Sequence, residues 1–126
     1  MNVVLDAGAL LAIERGDRNM VAIVKRERLA DRTPRTHGGI IGQVWRGGSG
    51  RQAMLARLLP GVDVRPLDDG LGRRAGMLLA RAGTADVVDA ALVLLADDGD
   101  EIYTSDPTDL VRLAEAAGVH VDLTAV

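Results

Sequence analysis

Between Ala85 and Ala96 the chain reads Ala-Asp-Val-Val-Asp-Ala-Ala-Leu-Val-Leu-Leu-Ala, with Asp86 and Asp89 as its only polar residues. Their i, i+3 spacing puts both carboxylates on one side of the first turns of a helix. A helix otherwise this apolar is buried, and an ionised carboxylate there is costly unless a cation or several donors compensate it. Two further aspartates stand where open parallel sheets gather their active sites, outside the carboxyl ends of strands. Asp6 follows Val3-Val4-Leu5, and Asp106 follows Ile102-Tyr103-Thr104-Ser105. Asp6, Asp89 and Asp106 therefore offer an all-oxygen donor set of the kind taken by Mg²⁺ or Mn²⁺. Asp86 reads as a supporting ligand. Each also has a plain structural reading, because Asp is a favoured N-cap and its charge suits the positive end of a helix. For Asp106 that reading is reinforced by Pro107, a common first helical residue.

Other chemistries find no support. There is no cysteine, so thiolate metal sites, cysteine nucleophiles and disulfide scaffolds are excluded. His37 and His120 are far apart, lack a His/Glu helical pair, and read as surface or loop residues. No Gly-x-Ser-x-Gly elbow and no Gly-x-x-x-x-Gly-Lys loop occurs. A small acid-cluster phosphatase would need an Asp-x-Asp nucleophile, which Asp6-Ala7-Gly8 lacks. The net charge of −3 argues against coating nucleic acid through bulk positive charge, leaving only local contacts. Trp45 and Tyr103 are the only aromatics, too few for a base-stacking platform.

The elements that must position these residues follow from periodicity. Strands are expected at Asn2 to Leu5, Thr33 to His37, Val62 to Pro66, Glu101 to Ser105 and Val119 to Leu123. Helical spacing runs from Asp6 to Glu14, Arg18 to Ala30, Gly38 to Trp45, Arg51 to Leu59, Leu71 to Ala80, Ala85 to Ala96 with Thr84 as cap, and Pro107 to Ala117. Gly47-Gly48-Ser49-Gly50 is a turn, too short for a domain linker. Strands alternating with helices predict an α/β fold, a mostly parallel sheet of about five strands flanked by helices, in one domain spanning 1–126. The longest apolar run, Ala90 to Ala96, is far too short to cross a bilayer, so a cytoplasmic, membrane-free protein is expected.

Three segments, Val3-Val4-Leu5-Asp6-Ala-Gly-Ala-Leu-Leu-Ala, Thr84-Ala-Asp-Val-Val-Asp89-Ala-Ala and Thr104-Ser-Asp106-Pro-Thr-Asp109-Leu, resemble in order and spacing the best-marked motifs of PIN-domain nucleases. The resemblance covers essentially the whole chain. It implies a PIN-like domain whose acidic cluster holds one or two Mg²⁺ or Mn²⁺ ions and hydrolyses RNA phosphodiester bonds. Single-domain members of this size are mostly VapC-like toxins, held inactive by a cognate antitoxin protein.

On that reading Asp6, Asp89 and Asp106 are catalytic metal ligands, aided by Asp86. Gln43, Ser105 and Asp109 support them, Thr104 or Ser105 hydrogen-bonds a carboxylate or phosphate, and Arg46 and Arg81 grip RNA. The family usually carries glutamate where Gly39-Ile-Ile-Gly-Gln43-Val-Trp-Arg46 has Gln43, which donates a carbonyl oxygen but no charge. Gln43 is equally readable as a plain helix residue. Apolar area expected on Met54, Leu55 and Leu58 suggests a homodimer. The rival reading is a catalytically weak PIN-like module that binds RNA or a protein, its acids surviving as helix caps.

Overall fold

The computed structural model describes residues 1–126. In chain order the elements are β1 (Val3–Leu5), α1 (Ala7–Glu14), α2 (Arg18–Leu29), β2 (Arg35–His37), α3 (Gly38–Val44), α4 (Ala53–Leu58), β3 (Asp63–Arg65), α5 (Asp69–Ala82), α6 (Val87–Val93), β4 (Glu101–Thr104), α7 (Pro107–Ala117) and β5 (Asp122–Ala125). The five strands form one sheet in the order β3-β2-β1-β4-β5, and every pairing is parallel. The expected α/β architecture is therefore present, with the sheet wholly rather than mostly parallel.

This order has a direct consequence for the site. The chain moves outward from β1 through β2 to β3, then returns to add β4 and β5 on the other side of β1. Right-handed crossovers then send the helices before and after that reversal to opposite faces of the sheet. The packing agrees, since α3 and α4 pack on α1 while α5, α6 and α7 pack on one another. Covered on both faces, β1 is apolar throughout, and Val3, Val4 and Leu5 are all fully buried. The strand order reverses between β1 and β4, the place where such sheets open a crevice for ligands.

Several boundaries differ from the periodic reading for local reasons. Helix α5 is longer than expected because Asp68 accepts from the Leu71 N–H at 2.9 Å and Gly83 ends the helix in the left-handed conformation at φ 70°. The stretch expected as one helix over 51–59 is broken into a 3₁₀ turn at Gly50–Gln52, α4, and a second 3₁₀ turn at Leu59–Gly61 that carries Pro60. Buried Gln52 holds the glycine turn in place: its Oε1 accepts from the N–H groups of Arg46 and Gly48, and its Nε2 donates to Glu14 Oε1 and the Val44 carbonyl. The last strand starts at Asp122, not Val119, because His120 is engaged by the β4 approach loop, its carbonyl accepting from Gly99 and its N–H donating to Asp98.

Two residues expected to leave apolar surface do not. Leu55 and Leu58 face the core, where α4 packs against α1, and only Met54 stays partly exposed. The periodicity of a short helix shows which residues share a face, not whether another element already covers it. No helix is long and apolar enough to cross a membrane.

Candidate functional site

Asp6 lies at the end of β1, where its backbone extends the β1/β4 pairing by donating to the Tyr103 carbonyl at 3.1 Å. It is also the N-cap of α1: one carboxylate oxygen accepts from the Ala9 N–H at 2.8 Å and the other from the Ser105 N–H at 3.1 Å. The acid is almost buried at 7 % exposure and fixed to both strands. Gly8 allows this approach, because a Cβ there would fall 2.5 Å from the Ser105 Cβ and Oγ.

Asp106 follows β4 and caps α7, its carboxylate at 3.5 Å from the Asp109 N–H. Its own N–H donates to Thr104 Oγ at 2.9 Å, so the buried threonine hydroxyl fixes backbone rather than substrate. Asp86 caps α6 by accepting from the Asp89 N–H at 3.0 Å. The expected cap, Thr84, instead lies in the turn after Gly83, and α6 is correspondingly shorter, beginning at Val87.

Asp89 differs from the other three. It is not a cap, it is half-buried, and its carboxylate has no hydrogen-bond or ion-pair partner. Burial, followed by the like charges of Asp86, Asp6, Asp109 and Asp106, pushes its carboxyl up to about 6. Asp109 is also raised, first by its hydrogen bond with Asp106 and then by that residue's charge. The fold thus brings Asp6, Asp86, Asp89, Asp106 and Asp109 into one mutually repelling group, and none of them takes part in an ion pair.

A pocket of about 430 Å³ opens beside this group between α6 and α7, lined by Thr84, Asp86, Asp89, Thr108, Asp109 and Arg112 among others. As placed, no group of three or more His, Cys, Asp or Glu side chains is close enough to hold a metal ion. The chemistry of the donor set nevertheless fits a hard divalent cation: every donor is oxygen, none is ion-paired, and burial with like charge disfavours the ionised form of Asp89. Ser105 contributes through its backbone N–H.

The remaining expected residues are all solvent-exposed. Gln43 is exposed on α3 and makes no side-chain hydrogen bond. Arg46 is exposed and turned back on its own chain, donating to the carbonyls of Gly42 and Trp45 at 3.2 and 2.7 Å. Arg81 is exposed in the last turn of α5.

His37, expected at the surface or in a loop, is fully buried. Its Nδ1 accepts from the Gly39 N–H at 3.1 Å as the cap of α3, which leaves Nε2 to donate to the Val88 carbonyl at 2.9 Å. Burial holds its pKa below the ordinary 6.5. The imidazole therefore ties β2 to the first turn of α6, one residue from Asp89. Its position between a short strand and a glycine pair was the available signal, because a capping side chain is needed where a strand runs straight into a helix.

The elements and their order define a single-domain parallel α/β fold of the PIN type, with acidic residues at the switch point between β1 and β4. Among solved structures it is similar to the crystal structure of VapBC2 from Rickettsia felis bound to a DNA fragment from their promoter, with a TM-score of 0.70, 10 % identity and 98 % of both chains covered. No protein-family model matches the sequence, and no curated protein does.

Proposed function

We propose that this chain is a divalent-metal-dependent ribonuclease that hydrolyses RNA phosphodiester bonds, acting as the toxin of a toxin–antitoxin pair. The observation that carries the reading is Asp89, a half-buried acid with no partner, facing four other aspartates. A buried charge is retained at such cost where a cation offsets it. Asp6, Asp89 and Asp106 would hold Mg²⁺ or Mn²⁺, with Asp86 as a further ligand and Asp109 orienting waters. When bound, the ion supplies Lewis-acid polarisation of the phosphate and a more acidic water. The chain itself fixes Asp6 against β4, presents Asp89 from the first turn of α6 and keeps Asp106 at the start of α7. Because no three carboxylates yet converge, binding requires side-chain rotation, for which Asp89 is free.

The partner follows from the same charge. An uncompensated acidic group attracts a basic side chain, and the VapBC2 structure, whose fold this chain shares, holds its protein on a promoter fragment. A cognate antitoxin that inserts an arginine or lysine toward Asp89 fits both. A cytoplasmic setting and a homodimer belong to the same proposal, although Leu55 and Leu58 are not the surface that would form one.

The test is cleavage of single-stranded RNA by purified protein in Mg²⁺ or Mn²⁺, beside a generic phosphate monoester. RNA cleavage that stops with a chelator and in Asp89→Asn supports the proposal. Equal rates with and without chelator contradict it. One observation favours the second reading, a non-cutting RNA- or protein-binding module: Asp6, Asp86 and Asp106 all serve as helix caps. RNA binding without cleavage in any divalent ion would favour it.

A further inference from the structure

The pocket between α6 and α7 is acidic, yet the guest that the nuclease reading gives it is a polyanion. Asp86, Asp89 and Asp109 line it, and a phosphodiester entering beside them meets repulsion that one divalent ion only partly relieves. The same wall carries one basic side chain, Arg112. Thr108, Asp109 and Arg112 are spaced i, i+1 and i+4 on α7, so the first turns of this helix present a hydroxyl, an acid and a guanidinium on one side.

Arg112 is not consumed by the structure. It is exposed, forms no ion pair and makes no hydrogen bond, although three carboxylates, Asp86, Asp89 and Asp109, line the same pocket. It is not among the groups that set the charge state of Asp89 or Asp109. A guanidinium this free keeps all five donors, in a planar fork that matches phosphate oxygens. Arg46, by contrast, already spends its guanidinium on two carbonyls of its own chain.

We propose that Arg112 is the substrate-binding residue of this pocket, gripping a backbone phosphate of RNA and so fixing which phosphodiester reaches the acidic group. The inference rests on the nuclease reading and assigns to α7 the anchoring that Arg46, just after α3, and Arg81 of α5 were expected to supply. The hydroxyls of Thr84 and Thr108 on the same wall offer neutral donors beside it.

The experiment uses the full chain and a labelled mixed-sequence single-stranded oligoribonucleotide. Binding is measured across a salt series in the Asp89→Asn background, with and without Arg112→Ala and Arg112→Lys, and steady-state kinetics are measured in the otherwise native chain. Arg112→Ala should raise KM roughly tenfold with kcat nearly unchanged, and should make the log–log salt dependence of binding shallower by about 0.7, the loss of one single-strand phosphate contact. Arg112→Lys should keep the salt slope while losing part of the affinity, because the charge stays and the fork is lost. An unchanged KM and slope in Arg112→Ala, in a protein whose wild type binds and cuts RNA, overturns the role of Arg112 and leaves the nuclease reading standing. If the wild type neither binds nor cuts RNA, the nuclease reading falls and this inference falls with it.

Discussion

The Ser105 N–H donates to the Asp6 carboxylate at 3.1 Å, joining the end of β4 to the cap of α1 across 99 positions of sequence. Both strand ends are thereby held at the switch point, and both carboxylate oxygens of Asp6 are fixed by backbone N–H groups. Asp6 is accordingly structural as well as a candidate ligand. Asp6→Ala should lose a cap and leave the Ser105 N–H unpaired, lowering stability by about 1–3 kcal/mol. Chemical denaturation checks this, and an unchanged midpoint would contradict it.

The same junction depends on Gly8. Gly8→Ala places a methyl 2.5 Å from the Ser105 Cβ and Oγ, and the strand end cannot retreat without disturbing β4. Destabilisation of about 1–3 kcal/mol is expected from the overpacking. Ser105→Gly should be destabilising alone yet recover much of the loss in the double variant. A double-mutant cycle with no coupling would show that α1 does not cross Ser105 this closely.

Asp89 should behave in the opposite sense to Asp6. Its carboxyl is raised from 3.8 to about 6, so the folded chain binds the proton more tightly than the unfolded one. Folding is favoured by this group below 3.8, and that contribution is lost as pH rises through about 6. Without metal, Asp89→Asn should therefore melt higher than wild type above pH 6, by on the order of 1 kcal/mol once screening by solvent is discounted. The two should converge at low pH. A variant that melts lower at neutral pH would mean that Asp89 is compensated by a partner after all.

His37 imposes the complementary limit. Its folded pKa lies below 6.5, so its stabilisation is present above 6.5 and is lost as pH falls below that value. Protonating Nδ1 also removes the acceptor of the Gly39 N–H. His37→Ala should cost about 2–4 kcal/mol through a cavity and two unpaired polar groups, and should flatten the acid limb of the stability profile. A melting series in pH on both proteins reads it directly.

Much of this arrangement was legible in sequence, and the limits are instructive. Asp89 was visible because a carboxylate in an apolar helix violates local patterning, and Asp6 and Asp106 because they follow strand-like runs. That β1 and β4 are neighbours is a property of topology, which no local window carries. His37 was missed because its partner, the Val88 carbonyl, is 51 positions away. Leu55 and Leu58 were placed at the surface because the helix that covers them, α1, is remote in sequence. Arg112 lay unremarked on a helix face until α6 was seen to complete a pocket with it.

The central claim is that the aspartates at the β1/β4 switch point hold a divalent cation, and calorimetric titration of Mn²⁺ into wild type, Asp89→Asn and Gln43→Glu at one ionic strength tests it most directly. The account predicts saturable binding to wild type that Asp89→Asn weakens severely, because the freest of the carboxylates is gone. Gln43→Glu separates the two readings of that exposed α3 residue: tighter Mn²⁺ binding places it beside the ion, and unchanged affinity makes it an ordinary helix residue whose charge is screened. Absence of saturable Mn²⁺ binding, or equal affinity in wild type and Asp89→Asn, would contradict the claim and leave the acids as helix caps.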